Sequence, residues 1–265
     1  MTLEILPRHF VEKPWGQSDL PAHFGGRSEK VGEIWFDRAD MPLPLLCKWL
    51  FTSEKLSVQV HPNDEQAAAR GLRSGKEECW IVTAVQGDAR LGIGLTRELS
   101  DGELREASLS GAIEDLLDWK PVKPGDWYYI PAGTIHAIGA GVQLVEIQQN
   151  ADITYRLYDY GRPRELHLDD GVAVSSTAPY SGAHGAMKTD HGVHSLVRSR
   201  HFAIDYAVGD VSLESLGDAL AYCVPVAGQF TVGAQTLSPG EVALARPAEI
   251  AATSGECTLL LARTA

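Results

Sequence analysis

The chain has 265 residues, 44% of them hydrophobic, which is enough to bury a sizeable core in one or two domains. A formal charge of −12 and a pI near 5.2 argue against nucleic acid and acidic membrane surfaces as partners, because a polyanion needs a basic footprint. A small anionic substrate stays open, since a few local Lys and Arg side chains can hold one phosphate inside an acidic protein.

At the start, MTLEILPRHFVEK carries Glu4, Arg8 and Glu12 where a signal peptide needs an apolar core. No apolar run approaches the roughly 20 residues of a membrane helix. The first clear strand signal is LSVQV (56–60). Asn63 then stands as the cap of a helix through DEQAAAR that stops at Gly71. CWIVTAV (79–85) is again strand-like. A helical insertion is expected near 97–119, where Ser100 and Glu103 have capping-box spacing and Ile113, Leu116 and Leu117 form an apolar stripe. WYYIP (127–131), VQLVEIQQ (142–149) and ITYRLY (153–158) follow, rich in β-branched and aromatic residues and punctuated by Gly and Pro.

The segment TAPYSGAHGAMKTDHG (177–192) reads as a linker, and beyond it HFAIDYAV, LAYCVPVAG, QFTVG, EVALARP and ECTLLLA are strand-like. LSPGEVALARPAEI (237–250) echoes VKPGDWYYIPAGTIH (122–136), a weak repeat that fits two barrels in tandem. PGD and PGE are also common turns, so the echo alone does not decide. The expected organisation is a metal-binding barrel over 1–180 and a second, degenerate barrel without metal ligands over 193–265. Cys47, Cys79, Cys223 and Cys257 show no CxxC spacing and fit packing residues of a reduced, cytoplasmic protein.

Gln59 and His61 sit two apart, so a strand presents both on one face. Glu78 opens the next strand, and the turns at Pro131 and Gly133 bring His136 back to the barrel mouth. Two imidazoles, a carboxylate and an amide oxygen around an open position suit zinc or a similar divalent ion. A lone histidine in a β protein is more often a hydrogen-bonded surface or core residue. That is the reading for His9, His23, His167, His184, His191, His194 and His201.

The GxxxxxPxGxxH run at 125–136 resembles the second sequence motif of the cupins. LSVQVHPND (56–64), GKEECW (75–80), YIPAGTIHAIGAG (129–141) and EIQQNADITYRLYDYGR (146–162) resemble the type I mannose-6-phosphate isomerases in their short bacterial form. The resemblance is dense over about 10–170 and faint beyond. It implies an all-β fold of two cupin-type double-stranded β-helix (jelly-roll) barrels, and a metal-dependent aldose–ketose isomerase. The reaction implied converts mannose 6-phosphate to fructose 6-phosphate through an enediol.

The resemblance further implies one zinc ion on Gln59, His61, Glu78 and His136. It gives Arg156 as the functional arginine of TYR, and Lys76 and Glu146 as candidates for the base, with no choice between them. Lys48 and Lys76 match lysines that line the family's substrate pocket. Lys48 and Arg162 are the substrate-binding candidates for the phosphate of a sugar phosphate, with plain surface charge as the alternative. A monomer or small homo-oligomer is expected. Arg162 stands where some eukaryotic members have lysine, and Ala151 where serine is usual. Trp15, Trp35 and Trp80 are expected in the core or pocket wall. Two other readings stay open: a cupin iron dioxygenase, and a non-catalytic sugar-phosphate-binding module.

Overall fold

Strand LLCKWLF (45–51) is buried on both faces, which explains why Lys48 is its one polar residue. Side chains alternate between faces along a strand, so 47, 49 and 51 point one way and 46, 48 and 50 the other. The same alternation runs through the neighbouring strands and sets up the whole architecture.

The computed structural model describes residues 3–38, 41–253 and 256–265. The first part of the chain forms β1 (Glu4–Ile5), β2 (Arg8–Gln17), β3 (Val31–Phe36), β4 (Leu45–Phe51), β5 (Val58–Val60), β6 (Glu78–Val85) and β7 (Arg90–Leu95). Next come β8 (Leu117–Pro121), β9 (Asp126–Ile130), β10 (His136–Ile138), β11 (Val142–Gln149), β12 (Tyr155–Tyr158) and β13 (His184–Ala186). The rest is β14 (Gly192–Arg198), β15 (Phe202–Val208), β16 (Ala221–Ala227), β17 (Phe230–Val232), β18 (Gln235–Leu237), β19 (Ala243–Ala245), β20 (Ile250–Ala252) and β21 (Thr258–Thr264). The helices are α1 (Asp64–Ala68), α2 (Asp101–Ser110), α3 (Ile113–Leu116) and α4 (Leu168–Val174).

A seven-stranded sheet (β13-β9-β6-β11-β4-β3-β2) faces a five-stranded one (β12-β5-β10-β7-β8). Between them lie Trp15, Leu50, Trp80, Leu144, Leu91, Ile93 and Ile138. The outer face of the five-stranded sheet, with Val58, Val60, Tyr155 and Leu157, is covered by Leu104, Ala107, Ile113 and Val172 of the helices. On the far side, Cys47, Trp49, Ile81 and Ile147 pack against Phe202, Ile204, Tyr206, Tyr222 and Leu260. Those residues belong to a six-stranded sheet (β1-β19-β16-β21-β15-β14), whose other face packs on a three-stranded sheet (β18-β17-β20). The first strand, β1, thus pairs with β19 in the C-terminal sheet rather than with its sequence neighbours. The fold is mostly β, as in the cupin barrels.

Local signals explain most elements. Asn63 and Gln66 cap α1 reciprocally, as do Ser100 and Glu103 at α2. The helical stretch expected to reach 119 is interrupted at Gly111, which takes φ 85°, and it ends at Leu116; Leu117 already begins a strand. The expected linker contains β13, which pairs with β9. Helix α4, in LDDGVAV, carries no strong start signal and was not expected. The two PGD/PGE turns are alike: Gly125 and Gly240 have φ 90° and 84°, and the acid after each accepts a hydrogen bond from the backbone N–H three residues earlier (Lys123 to Asp126, Ser238 to Glu241). All four cysteines are buried. Among the described residues no helix is long and apolar enough to cross a membrane.

One apolar core spans the facing seven- and six-stranded sheets, so the two parts should unfold together. Phe202 is fully buried in it. Phe202→Ala should lower stability by about 3–5 kcal/mol in urea titration while keeping one transition for the whole chain. Two separated transitions would show that the parts fold independently.

Candidate metal and substrate site

The strand register builds the site in two rows. In the seven-stranded sheet, Glu146 of β11 lies directly opposite Lys48 of β4 and Trp80 of β6, and Gln148 lies opposite Glu78. Residues directly opposite share a face, here the barrel interior. In the five-stranded sheet, Gln59 of β5 lies opposite both His136 of β10 and Arg156 of β12. The two rows face each other, and the Trp80 ring meets the His136 ring edge-on with centroids 5.2 Å apart.

His61, Glu78 and His136 are 2%, 0% and 1% exposed. One ligand atom from each falls within 4.8 Å of the others. Glu78 Oε2 is 3.6 Å from His61 Nε2, and Glu78 Oε1 is 3.5 Å from His136 Nε2. His136 Nδ1 faces the Thr134 carbonyl at 2.9 Å, which fixes the proton on Nδ1 and turns the Nε2 lone pair toward Glu78. His61 Nε2 and Glu78 Oε1 are buried without a hydrogen-bond partner. Unpaired buried polar atoms are costly, so their convergence on one point fits a cation site. Gln59 presents Nε2 to His136 Nε2 at 3.3 Å and Oε1 to Ser57 Oγ at 3.1 Å. A half-turn of the amide exchanges the two atoms, and the serine hydroxyl accepts as readily as it donates. His61, Glu78 and His136 therefore fit a divalent metal, and the Gln59 amide lies beside His136.

Beside this cluster, Lys76 Nζ lies 2.8 Å from Glu78 Oε2 and 3.6 Å from Glu146 Oε1. Lys48 Nζ lies 3.2 Å from the same Glu146 oxygen and 3.9 Å from Glu33. The Trp80 indole donates to Glu146 Oε2 at 3.0 Å. Burial alone would raise the Glu146 carboxyl, but Lys76 and Lys48 outweigh it and hold the group at about 2. Burial likewise opposes the charge of Lys76, and Glu146 and Glu78 overcome it, so its ammonium is held above the usual lysine range.

These groups open onto a cavity of about 140 Å³ lined by Gln59, Lys76, Glu146, Lys48, Arg156 and Trp80, among others. Five cations (Lys13, Lys48, Lys76, Arg156, Arg164) and three acids (Glu33, Glu146, Asp152) line it, so the wall is cationic inside a protein of net charge −12. Arg156 donates from Nη1 to the Glu165 carbonyl at 2.7 Å, and its buried Nε has no partner. Arg162 is not brought to this wall. Its Nη2 donates to the Lys55 carbonyl at 2.6 Å and lies 3.2 Å from Asp159, with the guanidinium over Tyr160. Lys13 and Arg164 were missed by sequence reasoning. Lys13 shares a strand face with Trp15, a period-two signal; Arg164 lies two residues beyond Arg162, with nothing local to single it out.

No protein-family model matches the chain. Mannose-6-phosphate isomerase ManA of Bacillus subtilis is 46% identical over 150 residues, covering 54% of this chain and 46% of that relative, so the match spans less than half of ManA. The mannose-6-phosphate isomerase of Streptococcus mutans is 34% identical over 212 residues, covering 76% of this chain and 67% of its own length. The chain belongs to the mannose-6-phosphate isomerase family. The crystal structure of a Bacillus subtilis mannose 6-phosphate isomerase superposes with a TM-score of 0.85 at 27% identity, over 99% of this chain and 100% of that one. The family fold thus extends through the C-terminal sheets, where the sequence resemblance fades.

In this isomerase fold, metal binding should depend on pH through Glu78. Burial first, and the charge of Glu146 second, push its carboxyl up to about 7 in the metal-free protein. His136 is lowered to about 4 and His61 well below its ordinary value, chiefly by burial, so both imidazoles are neutral in the same range. Glu78 must lose its proton to act as a ligand. Metal affinity, read by competition with a chromogenic chelator, should be flat above about pH 8 and fall about tenfold per unit below 7.

Proposed function

We propose that the chain interconverts mannose 6-phosphate and fructose 6-phosphate, with zinc held by Gln59, His61, Glu78 and His136. The carrying observation is the juxtaposition of the buried His61–Glu78–His136 cluster with the Lys76–Glu146 pair on one cationic cavity. When bound, zinc supplies positive charge that polarises the sugar carbonyl and offsets the negative charge developing on the enediolate.

The chain's own groups carry the proton chemistry. Isomerisation removes the proton from carbon 2 of the aldose and returns one to carbon 1, while a hydroxyl proton passes from oxygen 2 to oxygen 1. Of the two candidate bases, Glu146 is the ionised acceptor, held so by Lys48 and Lys76. Lys76 keeps its proton between two carboxylates and serves as a donor toward substrate oxygen. Arg156, opposite Gln59 in the register, adds fixed positive charge on the facing wall. Lys48 is nearly buried and engaged by Glu146 and Glu33, so it orients the base rather than meeting the phosphate. The phosphate falls instead to Lys13 and Arg164, whose side chains are 29% and 27% exposed at the cavity. No observation favours the dioxygenase or binding-module readings.

An enzyme-linked assay for fructose 6-phosphate formed from mannose 6-phosphate tests this. Activity should vanish in chelator-stripped protein and return with zinc. Glu146→Gln should lower kcat by about 10²–10⁴-fold with zinc still bound. An unchanged kcat would remove Glu146 from the base role, and no turnover by the zinc-loaded native protein would overturn the function.

A further inference from the structure

Lys76 lies in a short segment, Gly75–Glu77, that belongs to no helix or strand until Glu78. Every backbone N–H in it is nonetheless held. Gly75 N donates to Asp64 Oδ1 at 2.8 Å, Lys76 N to the Pro62 carbonyl at 3.0 Å, and Glu77 N to Gln149 Oε1 at 2.9 Å. Asp64 and Gln149 are joined in turn, since Gln149 Nε2 donates to the same Asp64 oxygen at 3.0 Å. Gln149 N also donates to the Glu77 carbonyl at 3.1 Å. The two side chains therefore grip the chain immediately before and after Lys76.

The grip is tight and backed from elsewhere. A Cβ on Gly75 would lie 2.4 Å from the Asn63 carbonyl carbon and 2.5 Å from the Pro62 oxygen, so the segment lies flat against 62–64, just beyond His61. His201, from the C-terminal part, places Nε2 3.7 Å from Asp64 Oδ2 and 3.6 Å from Glu77 Oε1. The Tyr129 hydroxyl donates to the other Glu77 oxygen at 2.5 Å. Neither Asp64 nor Gln149 lines the cavity.

We infer that Asp64 and Gln149 are positioning residues of the isomerase, which set the Lys76 ammonium between Glu78 and Glu146 by clamping the backbone on both sides of it. The inference rests on the proposed role of Lys76. A lysine carries a long flexible stem, and its ammonium stays in one place only if the stem's root is fixed. Asp64 joins the root to the turn after His61, and Gln149 joins it to the end of the strand bearing Glu146. The clamp thereby ties Lys76 to both halves of the site.

The test uses the zinc-loaded full chain. Asp64→Ala and Gln149→Leu should each lower kcat about 10- to 100-fold, with KM changed less than about threefold and one zinc per chain retained. Asp64→Asn keeps the accepting oxygen for both donors and should stay within about threefold of the native kcat. Lys76→Met should lose activity at least as far as Asp64→Ala. If one clamp variant does not fold, the other decides. Native kcat in the folded clamp variants overturns the inference. So does zinc lost in step with activity, or an Asp64→Asn as slow as Asp64→Ala. Native kcat in Lys76→Met would instead overturn the reading of Lys76, whatever the clamp variants do.

Discussion

Lys48, Glu146, Lys76 and Glu78 form a line of alternating charges inside a β-barrel, each side chain no more than 6% exposed. Taking each such ion out of water costs several kcal/mol, and only close opposite charges and hydrogen bonds offset that. The steps along the line are 3.2, 3.6 and 2.8 Å, so each inner member touches a partner on both sides. Deleting one member strands its neighbours. A line of this kind survives only on a framework that holds every position within a few tenths of an ångström, and the rest of the molecule supplies that framework.

Strand register is the first part of it. Lys48, Trp80 and Glu146 point inward because they are opposite one another on β4, β6 and β11. Their sequence neighbours Cys47, Trp49, Ile81, Val145 and Ile147 must then point outward, and they are apolar. A sheet with charges on one face and a continuous apolar surface on the other cannot stand alone in water. The six-stranded C-terminal sheet covers that surface with Phe202, Ile204, Tyr206 and Leu260. A slip of one residue would put the charges into this core, so covering the back of the sheet also enforces the register of its front. That gives the C-terminal part, whose described residues hold no such metal cluster, a physical reason to exist.

What could be read from the sequence follows the range of the interactions. Gln59 and His61 were legible because their two-residue spacing is itself the strand period, and Ser100 with Glu103 because a capping box closes over three residues. The helical stretch that was expected to reach 119 breaks at Gly111, which takes a left-handed conformation, and ends at Leu116 because β8 pairs with β7 from Leu117 on. Arg162 and Arg164 could not be ordered by inspection. They lie two residues apart, and Asp159, pairing with both, does not tell which one reaches the cavity. Asp64 and Gln149 were out of reach for another reason: their hydrogen bond joins positions 85 apart, and neither contact resembles a motif.

The overall charge and the cavity charge work in opposite directions, and distance reconciles them. At physiological salt a charge is screened over about 8 Å, so the exposed acids that give the chain its negative balance act mainly on what approaches the outer surface. That outer field opposes the approach of a large polyanion. A small anion that enters the cavity leaves it behind and meets Lys13 and Arg164 at partly exposed positions, with Arg156, Lys76 and Lys48 further along the wall. Inside, the lower effective dielectric strengthens each of these attractions. Carboxylate partners keep Lys13, Lys48, Lys76 and Arg164 from being unpaired before the ligand arrives. On the proposed function, an incoming phosphate would compete with Glu33 and Asp159 rather than fill a void, which would favour a dianion over a neutral sugar of the same shape.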